Sequence, residues 1–193
     1  MLKLIFFEQD ADCPACEAAK RLIEDVAAAE EDVSFERFNV GDDAHRAAEH
    51  QVDRVPAVIV KGPRSDRIRY YGAPAGRELP TLVEAVHMSR TGETRLSEHS
   101  RHQLQRLSKP VQVQVFFTPT CVTCPQMISL ANQAAVESPF VSAAAIDATE
   151  FPDLVRRFKV NGVPKTVIND TVEILGAASE EEFIRAVTLG MGD

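Results

Sequence analysis

The most constraining feature of this sequence is a pair of Cys-X-X-Cys motifs, each followed at the same distance by a Val-Pro pair. The two sets are Cys13/Cys16 with Val55-Pro56 and Cys121/Cys124 with Val163-Pro164. The motifs are offset by 121 − 13 = 108 residues and the prolines by 164 − 56 = 108 residues. A shared offset of this length predicts two copies of one supersecondary unit.

Hydrophobic patterning predicts the order β-α-β-α-β-β-α in each half. In the first half the strands are expected at residues 2–7, 33–40, 57–60 and 67–71, with helices after Cys13, over 42–50 and over 79–86. In the second half they are expected at 111–117, 140–147, 165–169 and 171–175, with helices from Cys124, over 150–158 and around 183–187. The fold class is therefore α/β, with a mixed β-sheet flanked by helices in each half.

The expected domains are residues 1–95, with Cys13/Cys16, and residues 109–193, with Cys121/Cys124. Residues 96–108 are polar, with Leu104 and Leu107 in helical phase and Ser97 as an N-cap. This segment is predicted to be a linker helix.

The net charge is unfavourable for several kinds of partner. Over 193 residues the chain has 21 Lys and Arg against 29 Asp and Glu, a formal charge of −8. An acidic chain without a basic stripe repels nucleic acid and anionic membrane surfaces, so neither is an expected partner. The N-terminal apolar run is too short and too charged for a signal peptide, and we expect a cytoplasmic protein.

The Cys-X-X-Cys motifs are each placed where a strand ends and a helix begins. A sulfur at a helix N-terminus is favoured as a thiolate by unpaired N–H groups and the helix dipole. The second sulfur, about one turn later, is close enough to attack a mixed disulfide. We therefore expect Cys13 and Cys121 to be attacking thiolates, with Cys16 and Cys124 as their resolving thiols.

A zinc site is the main alternative interpretation of four cysteines in two pairs. The interval from Cys16 to Cys121 holds 121 − 16 − 1 = 104 residues, against roughly 15 to 20 in a paired-knuckle zinc motif. The strand-to-helix setting favours redox chemistry, and a zinc-binding or redox-inert scaffold stays as the alternative of a different class.

The Val-Pro pairs have an ordinary explanation, because proline is tolerated as the first residue of a strand. Their identical offset from the cysteines indicates a role beyond starting a strand. A cis proline can hold the preceding backbone exposed beside the sulfurs, where the valine could pair with an extended substrate segment. The candidate substrate-binding residues are Val55, Pro56, Val163 and Pro164.

These motifs together resemble a known family. The sequences are Cys-Pro-Ala-Cys with Arg-Val-Pro-Ala, Thr-Pro-Thr-Cys-Val-Thr-Cys-Pro with Gly-Val-Pro-Lys, and Tyr-Tyr-Gly-Ala-Pro-Ala-Gly at residues 70–76. The chain resembles the two-domain protein disulfide oxidoreductases, also called glutaredoxin-like domain proteins. The resemblance implies two tandem thioredoxin-like domains, dithiol-disulfide exchange on protein substrates and cis prolines at positions 56 and 164.

The resemblance also implies an external electron source, a thioredoxin-reductase-like flavoprotein that draws on NADPH. No Gly-rich phosphate loop is present in the sequence, so we expect no cofactor bound to this chain. A dedicated thiol electron donor to a peroxidase is the nearest alternative, which would make a peroxiredoxin a partner. Two intact motifs favour the general oxidoreductase.

The chain departs from this family and its relatives in ways that make the two sites unequal. Single-domain thioredoxins have a buried aspartate six residues before the first cysteine, where this chain has Phe7 and Val115, so Glu8 is a candidate proton acceptor for the first site only. Asp10 and Asp12 flank Cys13 and oppose a thiolate, whereas Cys121 lacks such neighbours and is expected to face Lys165. We therefore expect Cys121 to be the more acidic nucleophile.

Overall fold

The computed structural model describes residues 1–9 and 13–192. Within these residues there are eight strands, seven helices and one 3₁₀ turn, Gly76–Glu78. The strands are β1 Leu2–Glu8, β2 Val33–Asn39, β3 Ala57–Lys61, β4 Ile68–Tyr71, β5 Val111–Phe117, β6 Val141–Asp147, β7 Lys165–Ile168 and β8 Val172–Leu175. The helices are α1 Pro14–Ala29, α2 Ala44–Glu49, α3 Leu79–Thr91, α4 Glu98–Gln105, α5 Cys124–Glu137, α6 Pro152–Arg157 and α7 Glu180–Gly190.

The strands form one mixed sheet in the order β2-β1-β3-β4-β6-β5-β7-β8. Each half contributes four strands in the same arrangement. The central strand, β1 or β5, is parallel to the second strand of its half and antiparallel to the third. The predicted α/β class and the order of elements in each half are confirmed.

The two halves are joined in the middle of the sheet. β4 of the first half pairs in parallel with β6 of the second, from Ile68 opposite Ala143 to Tyr71 opposite Ile146. The sequence predicted a sheet in each half but not that the two would become continuous. The domain boundaries stay a prediction, and α4 lies within the expected linker segment.

Alternate residues of the central strands divide the hydrophobic core between the two faces of the sheet. On β1, Leu4 and Phe6 belong to the larger cluster, which we call the first face, and Ile5 and Phe7 belong to the second face. The apolar stripes of α1, α3, α5 and α7 cover the first face, whereas the short helices α2 and α6 cover the second. Within the described ranges, no helix combines the length and the apolar character needed to cross a bilayer.

Hydrogen bonds across the seam also fix the end of α5 against the first half. The Ser65 hydroxyl and the Arg67 guanidinium each donate to the carbonyl of Ala135 at 3.1 Å, and Arg67 Nε donates to the carbonyl of Val141 at 3.1 Å. The last carbonyls of a helix lack intrahelical partners, so these donors satisfy groups that would otherwise be buried without one. The helix that begins at Cys124 is thus fixed to the first half at its far end.

Candidate active site

The first cysteine pair is a disulfide at the start of α1. Cys13 is the N-cap residue, Pro14 occupies the first turn, and the backbone N–H of Cys16 donates to Cys13 Sγ at 3.2 Å. Proline suits this position because the first N–H groups of a helix have no partner within it. Cys16 is buried, whereas Cys13 is half-buried, so the first sulfur is the accessible one.

The second cysteine pair repeats the contact between a backbone N–H and the first sulfur, although α5 begins at Cys124 and has Thr123 as its N-cap. Cys121 and Cys124 form a disulfide, and the N–H of Cys124 donates to Cys121 Sγ at 3.1 Å. In both pairs a backbone donor therefore points at the first sulfur, the arrangement that stabilises a thiolate there. Cys124 has no exposed surface and Cys121 is 9% exposed, while Val122 between them is 71% exposed.

Both Val-Pro bonds are cis, as the resemblance implied. The carbonyl of Pro56 accepts from Gly72 N–H, and that of Pro164 accepts from Gly176 N–H, each at 2.9 Å. Both valines, Val55 and Val163, pack against the core cluster that contains the cysteines. Among the described residues, the backbone N–H and C=O of neither valine has a hydrogen-bond partner, which leaves two pairing groups available beside each disulfide.

The surroundings of the two sites differ because their neighbouring strands differ. β8 is at an edge of the sheet, whereas its counterpart β4 is covered by β6. Leu175, at the end of β8, is consequently 73% exposed, while Tyr71, at the end of β4, is buried. A cavity of about 560 Å³ opens beside Pro164, lined by residues 161–165 and by Leu175.

Glu78 is a buried acid, in a turn that packs beside the second site, that the sequence interpretation missed. The 3₁₀ turn that contains it packs against α5, and a Cβ on Gly76 would lie only 2.9 Å from the carbonyl oxygen of Pro119 in the loop before Cys121. The Glu78 side chain has no exposed surface, and within the described residues neither carboxyl oxygen has a hydrogen-bond partner. Burial, together with the negative charge of Asp147, raises the pKa of Glu78 to about 7.

The internal repeat of the sequence gives no signal for Glu78. Glu78 belongs to the first half, but its turn packs against α5 of the second half, and the position 108 residues later is Ala186, in a buried part of α7. Its only sequence signal is its place two residues after the 70–76 segment of the family resemblance.

The expectation that Lys165 faces Cys121 is wrong. Lys165 is the sheet partner of Phe116, and directly paired residues share a face. Phe116 lies in the second-face cluster, whereas Cys121 packs in the first. The buried Lys165 ammonium donates to the carbonyl of Phe158 at 2.6 Å and lies 3.0 Å from a carboxylate oxygen of Glu173.

Of the acidic residues expected near the first site, the structure describes only Glu8. Glu8 is buried and forms an ion pair with Arg37. Glu8 is two residues after Phe6 on β1, and residues two apart on a strand share a face. It therefore lies on the face of the core cluster that contains Cys16. Asp10 and Asp12 lie outside the described residues.

Within residues 1–9 and 13–192, no group of three or more histidine, cysteine, aspartate or glutamate side chains is placed to hold a metal ion. The cysteines are instead bonded in pairs within each motif.

Comparison with known proteins agrees with this geometry. Residues 111–188 match the thioredoxin domain family. A thioredoxin from Methanocaldococcus jannaschii is 31% identical over 78 residues, which cover 40% of this chain and 92% of that protein. The chain belongs to the thioredoxin family. The resemblance inferred from the motifs is confirmed.

Two solved structures extend the thioredoxin-like fold over nearly the whole chain. A protein disulfide oxidoreductase from Aeropyrum pernix K1 is 27% identical with a TM-score of 0.88, and the match covers 97% of this chain and 84% of that one. The AhpF component of the alkyl hydroperoxide reductase of Enterococcus faecalis has a TM-score of 0.88 at 22% identity, covering 96% and 89%. The second likeness concerns the fold alone.

Longer relatives contain a related segment. The AhpF component of the alkyl hydroperoxide reductase of Pseudomonas putida is 29% identical over 140 residues, which are 72% of this chain and 27% of that protein. The chain therefore matches only about a quarter of the length of this relative.

Proposed function

We propose that this protein is a protein thiol-disulfide oxidoreductase with catalytic pairs Cys13/Cys16 and Cys121/Cys124. The observation that carries the proposal is the repeated arrangement of the disulfides. In each, a backbone N–H donates to the first sulfur, the second sulfur is buried, and an unpaired valine backbone lies in the same cluster. Family membership and the likeness to a protein disulfide oxidoreductase support it.

The exchange begins when the Cys13 or Cys121 thiolate attacks one sulfur of a substrate disulfide. A mixed disulfide forms as the substrate S–S bond breaks, and the released substrate sulfur leaves as a thiolate that takes a proton from water. Cys16 or Cys124 then loses its proton and attacks the first cysteine, which releases the second substrate sulfur. Two electrons pass from the cysteine pair to the substrate.

At the second site, Glu78 is our candidate acceptor for the Cys124 proton. A pKa of about 7 leaves both protonation states populated near neutral pH, the condition in which one group can accept and return a proton. At the first site, Glu8 stays the candidate, on the same sheet face as Cys16.

Substrate binding is assigned to Val55-Pro56 and Val163-Pro164. The free N–H and C=O of each valine can pair with an extended segment of the substrate next to its disulfide, as in the addition of a β-strand. Protein disulfides and dithiols are therefore the proposed substrates, since a small disulfide would leave these groups unused.

The protein would receive electrons from an NADPH-linked flavoprotein of the thioredoxin reductase kind, without binding that cofactor itself. A cytoplasmic location belongs to the same proposal. The second candidate function is a dedicated thiol donor to a peroxidase of the peroxiredoxin type, favoured by the 29% identity to a component of an alkyl hydroperoxide reductase.

Insulin reduction with dithiothreitol tests the proposal. We expect Cys13→Ser and Cys121→Ser each to lower turnover and the double variant to abolish it, with Ser89→Ala as a control for a buried hydroxyl remote from either motif. If the double variant keeps wild-type turnover, the catalytic assignment is wrong. A peroxiredoxin-coupled assay distinguishes the second candidate function. A dedicated donor would support peroxide reduction by the peroxiredoxin but would not reduce insulin.

A further inference from the structure

A chain of buried hydrogen bonds crosses the seam between the two halves. Asn132 Nδ2 donates to the Tyr70 hydroxyl at 2.9 Å, the Tyr70 hydroxyl lies 3.0 Å from Thr81 Oγ1, and Thr81 Oγ1 donates to the carbonyl of Glu78 at 2.7 Å. None of the three side chains is more than 4% exposed. Water is excluded from this network along its whole length, so each of its hydrogen bonds is electrostatically stronger than the same bond at the surface.

The direction of the chain follows from its donors. A threonine hydroxyl has one proton, and that of Thr81 is given to the Glu78 carbonyl, so Tyr70 must donate to Thr81. Tyr70 in turn accepts from the amide of Asn132, which is a donor at Nδ2. Burial raises the pKa of Tyr70, which keeps its hydroxyl protonated and able to donate. All three bonds therefore run one way, towards Glu78.

The chain connects two parts of the second site. Asn132 is in α5, eight residues, or about two turns, after Cys124 in the same helix. Tyr70 is in β4 and Thr81 in α3, both in the first half. The last bond ends on the backbone of Glu78, in the turn whose Gly76 approaches the carbonyl of Pro119 in the loop before Cys121.

Among the described residues, the Glu78 carboxyl group has no hydrogen bond to another residue that would fix its position. The charges that act on it are those of Asp147, at the end of β6, and Arg77, its neighbour in the 3₁₀ turn, and burial outweighs both. Its placement therefore depends on the backbone of the turn, and Thr81 is the side chain that holds the Glu78 carbonyl.

We infer that Tyr70, Thr81 and Asn132 are positioning residues for the second site. They hold the Glu78 carboxyl group in register with the helix that begins at Cys124, and so couple its protonation to that of the Cys121/Cys124 thiols. This inference rests on the proposed role of Glu78 as proton acceptor. It makes the acidity of the second site dependent on side chains supplied by the first half.

The test is the rate of Cys121 alkylation against pH in the reduced full chain, followed by mass spectrometry of the labelled peptides. A carboxylate held near a thiol raises the thiol pKa, so Glu78→Gln lowers the Cys121 midpoint, by about one pH unit. Tyr70→Phe removes one hydroxyl, releases the turn and lowers the midpoint in the same direction. The Cys13 midpoint in the same sample stays unchanged.

Two controls separate positioning from a general loss of stability. Tyr71→Phe removes a hydroxyl from the adjacent residue of β4, on the second face, and leaves the Cys121 midpoint at its wild-type value. In a Glu78→Gln background, Tyr70→Phe produces no further shift, because the group that it positions no longer titrates.

Thr81 provides an independent test if Tyr70→Phe fails to fold. Thr81→Val shifts the Cys121 midpoint, whereas Thr81→Ser retains the hydroxyl and the wild-type midpoint. The inference is overturned if Tyr70→Phe or Thr81→Val lowers thermal stability but leaves that midpoint where it was. Failure of the proposed function would be seen separately, as undiminished insulin turnover by the double cysteine variant.

Discussion

Glu78→Gln should make the protein more stable, and increasingly so as the pH rises. The Glu78 side chain has no exposed surface and its carboxyl oxygens have no partner on another described residue, so ionisation leaves a buried charge that only its own backbone N–H and Arg77 oppose, and burial outweighs both. Glutamine is close in shape to the protonated acid and cannot ionise. The substitution therefore removes the cost of that charge while it preserves the packing of the turn.

The magnitude follows from the two pKa values of Glu78. In the folded chain the pKa is about 7, against an ordinary value of 4.5. Below about pH 4.5 the group is protonated in both states and has no effect on the pH dependence of stability. As the pH rises towards 7 the unfolded chain releases its proton first, so the folded state is progressively destabilised. The difference of 2.5 units corresponds to ~3 kcal/mol, reached above about pH 7.

Urea unfolding of the oxidised chain, at several pH values between about pH 5 and pH 8.5, measures the free energy of unfolding of Glu78→Gln and wild type. The advantage of Glu78→Gln over wild type should grow from about 1 kcal/mol near pH 5 to ~3 kcal/mol near pH 8.5. Glu24→Gln, on the exposed side of α1, is the matched control and should run parallel to wild type. If the curve for Glu78→Gln also runs parallel to wild type, the carboxyl group is not held neutral by burial.

Three further outcomes are expected. In a chain with only the second cysteine pair intact, Leu175→Asp should raise the KM for insulin roughly tenfold. The reason is the loss of an exposed apolar contact worth ~1.4 kcal/mol. Leu189→Asp, on α7, should leave the KM unchanged. Ser179→Ala removes a capping box at the start of α7 and should cost about 1 kcal/mol of stability in thermal unfolding. The ratio of the alkylation rate of Cys121 to that of Cys13 should fall more steeply through about pH 7 in wild type than in Glu78→Gln, because only wild type gains the Glu78 charge there. Equal profiles would contradict the proximity of that charge.

Local pattern predicted the elements of each half well. The strand expected at 111–117 is observed as Val111–Phe117, and the helix expected over 42–50 is observed as Ala44–Glu49. These succeed because the signals are local: apolar runs of strand length, and cysteine and proline at a helix start. The cis prolines came from the resemblance and could not have come from spacing, since a strand-initial proline fits the same positions.

The joining of the two sheets had no local signal. β4 and β6 are short apolar strands whose side chains fit an edge as well as a central position, and their pairing is decided by docking of the two halves. The donors that stabilise this seam have no distinctive signal in the sequence: Ser65 is an ordinary polar loop residue, and Arg67 is the polar first residue of the strand expected at 67–71. Long-range pairing of this kind depends on which surfaces meet, and a pattern read along one strand does not contain that information.

The same docking changes the physical reason for expecting unequal sites. The sequence attributed a more acidic Cys121 to the acidic neighbours of Cys13 and to Lys165, but Lys165 is on the opposite face of the sheet. In place of that cation, the packing of the 3₁₀ turn on α5 brings a segment of the first half with a buried acid, Glu78, beside the second site. On the proposed role of Glu78, its protonated form leaves the Cys121 thiolate unopposed at low pH, whereas its ionised form opposes that thiolate above about pH 7. We therefore expect the relative reactivity of the two cysteines to depend on pH, because docking of the halves packs a turn with a titrating group of one half against the helix that begins at the thiols of the other.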